Sequence, residues 1–256
     1  MRNCDRTLPI AIATAIAKRG PWAILLGSLL AVQPVLAAPT PGLADATQSA
    51  PASQVRWRPN PDRGTATSTL SGGRRGTLAT HCAADGPTLA LLVPEQAAGL
   101  LTTQAEPTVA WHVETDRPVA MELMLSHPDQ AAPVYQKTIT ADQSDIVQVT
   151  LPELEDDTRY RWTVFLTCDN SGHSEIHSRS FIQRVDRESA SLTEEPLDQL
   201  SPLDQATAYA DAGIWYDACQ ALLQDYAQTQ SPDTLAAFYQ LLGQANPAHP
   251  LVATGQ

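Results

Sequence analysis

A chain of 256 residues is long enough for one or two domains with hydrophobic cores, and this one is acidic, with 28 Asp and Glu against 16 Lys and Arg. Residues 1–37 contain four basic residues and one acidic residue, so their removal changes the formal net charge from −12 to −15. Nucleic acid and anionic lipid repel such a polyanion, and neither is expected as a partner.

The first 37 residues have the three parts of a secretory signal. A basic region of three arginines and one lysine comes before residues 22–32, an uncharged apolar run. A membrane-spanning helix needs about twenty apolar residues, so this run is too short for an anchor, and no later segment is long enough. Val-Leu-Ala at 35–37 places small residues where a signal peptidase cleaves. We expect cleavage near Ala37 and a periplasmic or extracellular mature protein without an integral membrane segment.

Residues 38–80 are rich in Pro, Ala, Thr, Ser and Gly and contain few large apolar side chains. Because this composition buries too little surface to offset the entropy of ordering, we expect a disordered linker. Its basic side chains are Arg56, Arg58, Arg63, Arg74 and Arg75. Two interpretations stay open. In the first, the basic linker is solvated and the acidic C-terminal region only keeps the protein soluble. In the second, one of the two charged regions makes an electrostatic contact: either this basic segment lies on the acidic C-terminal region, or that region receives a cationic partner.

Residues 81–188 show short apolar–polar alternations separated by turn residues, which predicts a β-sandwich domain of the immunoglobulin or fibronectin kind. Thr158 and Tyr160 open one strand in the way that is typical of a tyrosine corner, where the phenol bonds to the preceding backbone. An ordinary inward-facing tyrosine is the alternative. The predicted strands cover residues 89–93, 108–114, 119–125, 134–140, 146–151, 159–168 and 176–185.

Three cysteines remain after cleavage at Ala37, and an oxidising compartment favours pairing two of them. Cys82 and Cys168 each flank a predicted strand of the β domain, so we expect a disulfide between them. Cys219 falls within a helical pattern and is expected to be a buried free thiol.

Residues 189–256 have helical apolar spacing, so the predicted fold class is α+β, mainly β, with a short C-terminal helical segment. Ser-Pro at 201–202 and 231–232 is typical of a helix start, and another helix is expected from Trp215. Gly243 and Pro247 are expected to end the third helix.

The helical segment is similar to a degenerate tetratricopeptide repeat. The two Ser-Pro starts are thirty residues apart, and Ala-Gly-Ile-Trp-Tyr-Asp-Ala at 212–218 begins the middle helix. One such unit cannot bury its own apolar face, so we expect it to pack on the sandwich or on a partner.

Four stretches resemble a family of secreted cyanobacterial proteins catalogued as domain of unknown function 928. They are residues 89–95, 159–169, 181–185 and 209–218, of which the last is the most specific. The resemblance extends from about Gly72 to Val252. It implies a cyanobacterial source and a sandwich that forms one unit with the helical segment, and it carries over no activity and no catalytic residue.

Few residues suggest chemistry, since the sequence has no nucleophile elbow, phosphate loop or dinucleotide motif. His173, Glu175 and His177 form a cluster of metal-ligand types that would share one face of a strand. A preceding glycine favours an exposed turn instead, and we expect no metal or other cofactor. His112 and Glu122 fall on outward positions of strands and are expected to be solvated.

A large aromatic side chain occupies the outward side of the strand at 159–168. Phe165 is flanked there by Arg161 and two threonines, and a solvent-facing phenylalanine usually has a cover. We expect Trp215, Tyr216, Leu222 or Tyr226 of the helical segment to pack across it. The alternative is an open face that binds a partner through Phe165 and the arginines.

Two classes of function remain open. The first is a non-enzymatic binding or envelope-assembly module, whose partner would be an unknown protein or part of the cell envelope. The second is a hydrolase or metal-dependent enzyme whose site is assembled from scattered residues.

The export signal makes a direct prediction. Expressed in a bacterium with its native N-terminus, the protein is expected in the periplasm or medium with Ala38 as its first residue, because residues 1–37 contain the complete signal. N-terminal sequencing of the exported material measures this. Mature protein that stays on membranes and retains residues 1–37 would contradict it.

Overall fold

Eight β-strands precede four α-helices in the part of the chain that the structure, a computed structural model, describes. That part consists of residues 55–59, 82, 86–95, 100–168, 175–188, 190, 192 and 196–253. The predicted signal and most of the predicted linker lie outside the described residues. Within them, no helix is both long enough and apolar enough to cross a membrane.

The strands form two sheets, and their bounds are β1 (Thr88–Leu91), β2 (Leu101–Thr102), β3 (Thr108–Glu114), β4 (Val119–Ser126), β5 (Tyr135–Ala141), β6 (Asp145–Thr150), β7 (Arg159–Thr167) and β8 (Glu175–Arg184). One sheet has the order β1-β3-β6 and the other β2-β8-β7-β4-β5. Neighbouring strands are antiparallel except β2, which runs parallel to β8. All seven predicted strands are present with ends within two residues, and the mixed class with strands predominating is confirmed.

The two sheets pack on each other through their inward-facing apolar side chains. Trp111 of β3 and Trp162 of β7 are fully buried, with ring centroids 6.5 Å apart. The even positions of β7 are buried as the alternation predicts. The backbone N–H of Glu155 donates to the hydroxyl of Tyr160 at 3.3 Å, which is the bond that the tyrosine-corner interpretation requires.

A disulfide joins Cys82 to Cys168, as predicted, with Cα atoms 5.3 Å apart. The two residues are separated by 86 positions, and closing so long a loop stabilises by about 4–5 kcal/mol in the chain-entropy model. Cys219 is free and buried, and burial raises the pKa of its thiol, which keeps it in the unreactive protonated form.

The helices are α1 (Pro202–Asp211), α2 (Trp215–Thr229), α3 (Pro232–Ala245) and α4 (Pro250–Ala253). Ser201 and Ser231 cap α1 and α3 as predicted, each hydroxyl accepting a backbone N–H three residues on. Gly213 has a φ of 75°, a left-handed conformation that lets the chain turn from α1 into α2. α3 runs through Gly243, which corrects the expectation that this residue ends it; glycine suits the position because a Cβ there would meet the side chain of Val252 at 3.3 Å.

The helices are attached to the sandwich by Trp215, Tyr216 and Asp217 at the start of α2, which are buried and which we call the docking residues. Trp215 Nε1 donates to the backbone carbonyl of Leu92 at 2.9 Å. The Asp217 carboxylate accepts the backbone N–H of Thr103 at 3.1 Å and its hydroxyl at 2.6 Å. These bonds hold the segments that follow β1 and β2.

Tyr216 makes the central docking contact. Its hydroxyl accepts a hydrogen bond from Trp162 Nε1 at 2.8 Å and donates one to the backbone carbonyl of Phe181 at 2.7 Å. Trp162 belongs to the core between the sheets, so one hydroxyl group ties the helices to both β7 and β8. Burial raises the pKa of Tyr216, which therefore keeps the proton that it donates.

Residues 55–59 depart from the predicted disordered linker. Val55 is fully buried, and the ring of Trp57 packs edge-on against Trp215 with centroids 4.9 Å apart. These two side chains supply the apolar surface that the surrounding composition lacks, which is why this short stretch packs.

Replacing Tyr216 by Phe is expected to lower the free energy of unfolding by about 1–3 kcal/mol, because the buried Trp162 N–H and the Phe181 carbonyl lose their partner. Tyr226→Phe on the same helix is the matched control, and its partly exposed ring is expected to change stability by less than about 0.5 kcal/mol. Chemical denaturation measures both variants. Equal effects would contradict the central role of the Tyr216 hydroxyl.

Candidate functional site

The outer side of the five-stranded sheet carries the candidate site. Odd positions of β7 point outward, and the strand register places one residue of β4 and one of β8 beside each of Arg161, Thr163 and Phe165. We call this set the outer β7 face: Glu122, Met124, Arg161, Thr163, Phe165, His177, Arg179 and Phe181. In it Phe165 lies between Glu122 and His177.

The outer β7 face combines apolar and basic side chains. Phe165, Phe181 and Met124 are partly exposed, and Arg161 is exposed. The ring of Phe165 contacts that of His177 with centroids 5.4 Å apart. Aromatic residues, methionine and arginine are the types enriched where proteins bind each other, so this face has the composition of an interaction surface.

The structure does not bring Phe165 and Arg161 together with Trp215 and Tyr216. Phe165 lies on the outer side of the sheet, whereas Tyr216 bonds to Trp162, which alternation places on the inner side. This corrects the expectation that Trp215 or Tyr216 packs across Phe165. The Tyr216 hydroxyl bonds instead to Trp162 of the core and to the backbone carbonyl of Phe181, which supply a buried hydroxyl with a donor and an acceptor.

The predicted metal cluster is described only in part. Glu175 and His177 lie on the same side of β8, with Glu175 exposed and His177 against Phe165, while His173 lies outside the described residues. Across the residues that the structure does describe, no group of three or more His, Cys, Asp or Glu is placed to hold a metal ion.

Asp217 is a buried carboxylate that the sequence interpretation did not single out. Burial raises its pKa, and hydrogen bonds from Thr103, Thr102 and Gln104 oppose that rise. These residues form the end of β2 and the two positions after it, so the carboxylate attaches α2 to that strand. Its signal in the sequence is its place in the 209–218 stretch that carries the family resemblance.

Two histidines meet on the outer side of the three-stranded sheet, where His112 is expected to be solvated. Instead His249, from the turn before α4, lies close enough to His112 for their charges to interact and is only 2% exposed. Nδ1 of His249 accepts the N–H of Leu251 at 3.2 Å. Its Nε2 has no hydrogen-bond partner among the described residues. The C-terminal end of the helical segment therefore covers His112, which corrects the expectation.

Burial lowers the pKa of His249 to about 4, and the charge of His112 adds to this shift. The neighbouring backbone of Ala90 and Leu91 opposes it. Burial lowers the pKa of His112 as well, against the attraction of Glu114. Both shifts favour the neutral imidazole in the folded protein.

The chain belongs to the DUF928 family, a domain of unknown function, because the family model matches residues 70–249. The matched region contains both sheets and the docking residues. Among curated proteins no sequence matches this chain.

One solved structure with some similarity is a family 76 glycoside hydrolase from a bovine Bacteroides thetaiotaomicron strain. It is 11% identical, with a TM-score of 0.26, and the match covers 48% of this chain and 23% of that chain. The chain thus spans about a quarter of that hydrolase, and a likeness this distant carries no argument about fold or activity.

The histidine pair predicts how stability depends on pH. The folded state lowers the pKa of His249 from 6.5 to about 4. The free energy of unfolding therefore includes the full contribution of the neutral His249 imidazole above pH 6.5. It falls by about 3 kcal/mol in all as the pH drops toward 4, because the unfolded state then binds a proton that the folded state does not. Denaturant unfolding at pH 7, 5.5 and 4 measures this. His249→Phe is expected to flatten the decline, and parallel curves for wild type and variant would contradict the assignment.

Proposed function

We propose that this protein is an exported, non-enzymatic binding module that recognises a protein of the cell envelope or medium through the outer β7 face. The observation that carries the proposal is the register of β4, β7 and β8. It gathers two phenylalanines and a methionine at the centre of one sheet surface, with arginines beside them. A partly exposed aromatic cluster bordered by arginine is the usual composition of a binding hot spot.

The charge of this surface supports a partner that presents carboxylates. The outer side of the five-stranded sheet, to which the outer β7 face belongs, carries three arginines against two glutamates: Arg159, Arg161 and Arg179 against Glu122 and Glu175. This is a basic excess in a chain whose predicted mature form has a net charge of −15. Basic groups around an apolar centre steer an acidic partner and make its association sensitive to salt.

We also infer that the two sheets form an immunoglobulin- or fibronectin-like sandwich. Labelling β1, β3, β4, β6, β7 and β8 as strands A, B, C, E, F and G gives one sheet with the order A-B-E and another containing G-F-C, the division seen in such domains. The bond from Glu155 to the Tyr160 hydroxyl supports the same inference. Export is supported by the N-terminal signal pattern and by the Cys82–Cys168 disulfide.

Affinity capture with three forms of the mature protein tests the binding proposal. Wild type is expected to retain a protein from periplasm or medium. The double variant Phe165→Ser with Arg161→Glu is expected to bind that protein about thirtyfold more weakly, or worse, which is the effect of removing a hot spot. Raising the salt concentration is expected to weaken the capture.

Ile146→Ser is the matched control, since it removes a partly exposed apolar side chain from the outer side of the other sheet. It is expected to capture the partner as wild type does. Equal capture by all three forms, or capture by none, would contradict the proposed face. The enzyme alternative is tested in parallel by the metal content of the purified protein and a panel of hydrolase substrates.

A further inference from the structure

An extended segment from the N-terminal part of the chain lies against the helices. Its backbone is bound on both sides: Gln244 of α3 accepts the N–H of Trp57 with Oε1 at 2.9 Å and donates to the carbonyl of Val55 with Nε2 at 2.8 Å. On the other side the N–H of Arg58 donates to the carbonyl of Ala210 in α1 at 3.1 Å. One glutamine side chain thus pairs with the segment as a neighbouring strand would.

The side chains of the segment fit three different environments. Val55 is fully buried, and the ring of Trp57 rests edge-on against Trp215 at the start of α2. The guanidinium of Arg58 pairs with Asp211 at the end of α1, with Nε and Oδ1 3.0 Å apart. Both partners of this ion pair are largely exposed, so the pair orients the segment on the helices more than it stabilises its binding.

The segment and its binding site differ in their relation to the family. The groove residues Ala210, Asp211, Trp215 and Gln244 lie inside the matched region 70–249, whereas residues 55–59 lie outside it. Residues 60–81 separate the segment from Cys82, and 22 residues span at most about 75 Å when extended. The segment is therefore tethered to the domain as a ligand would be on a long linker.

We propose that α1, α2 and α3 form a peptide-binding groove for an extended segment with the pattern apolar–Arg–Trp–Arg, and that residues 55–58 occupy it as an exchangeable internal ligand. The groove binds the backbone of the segment through hydrogen bonds with Gln244 and the carbonyl of Ala210. It contacts the side chains of Trp57 and Arg58 through Trp215 and Asp211. A tethered ligand has an effective concentration that the length of its linker determines, so the chain's own segment competes with any peptide of the same pattern from another molecule.

Hydrogen exchange on the full mature protein tests whether the occupant exchanges. The amides of Trp57 and Arg58 are expected to be protected, and a saturating concentration of a free peptide of sequence 53–60 should speed their exchange at least tenfold by displacing the segment. The same peptide with alanine in place of Trp57 and Arg58 is expected to have no effect. Amides that are unprotected from the start, or protection that the peptide at millimolar concentration leaves unchanged, would overturn the proposal.

Fluorescence anisotropy of the labelled 53–60 peptide tests the groove. The full mature chain with Val55→Asp and Trp57→Ala is expected to bind the peptide at least tenfold more tightly than wild type, because the internal competitor is weakened. Adding Gln244→Ala should abolish that binding, whereas adding Gln240→Ala, an exposed residue one turn earlier on α3, should not. Equal binding by the two glutamine variants, or no binding by either, would overturn the assignment.

Discussion

The hydroxyl of Tyr216 is the contact on which the joining of sandwich and helices depends. Trp162 lies in the core between the sheets, and its buried Nε1–H needs an acceptor, which the hydroxyl of Tyr216 provides. The same hydroxyl satisfies the carbonyl of Phe181 in β8. The core of the sandwich is thus completed by a helix, which explains why strands and helices occur together in one matched family region.

Where the docking residues attach decides which surfaces stay open. With α2 held beside the segments after β1 and β2, the end of the chain reaches the three-stranded sheet, and His249 covers His112 there. The outer side of the five-stranded sheet keeps its partly exposed aromatic and basic side chains. Helix docking therefore adds to the difference that strand composition makes between the two sheet surfaces.

Much of the fold follows from local sequence, and most of the site does not. Alternation in β7 and the Ser-Pro helix starts predict elements because their causes, side-chain period and capping, act within a few residues. β2 has only two residues and therefore shows no period. The cover on His112, the docking role of Asp217 and the packing of Val55 depend on partners more than a hundred residues away. The hydrogen bond that Thr103 donates to Asp217 is an example, and such pairings leave no local pattern. Phe165 was found because it breaks the polar pattern of its own strand face.

The Cys82–Cys168 bridge also determines how the molecule carries mechanical load. Its two ends lie before β1 and just after β7, so tension applied between the two ends of the chain passes through the sulfur–sulfur bond and bypasses the 86-position loop. Under stretching, β1 to β7 stay out of the load path, whereas β8 and the helices, which follow Cys168, lie in it. In an oxidising compartment the bridge keeps the distance between Cys82 and Cys168 fixed under load. Reduction of this one bond would let the 86-position loop extend as well.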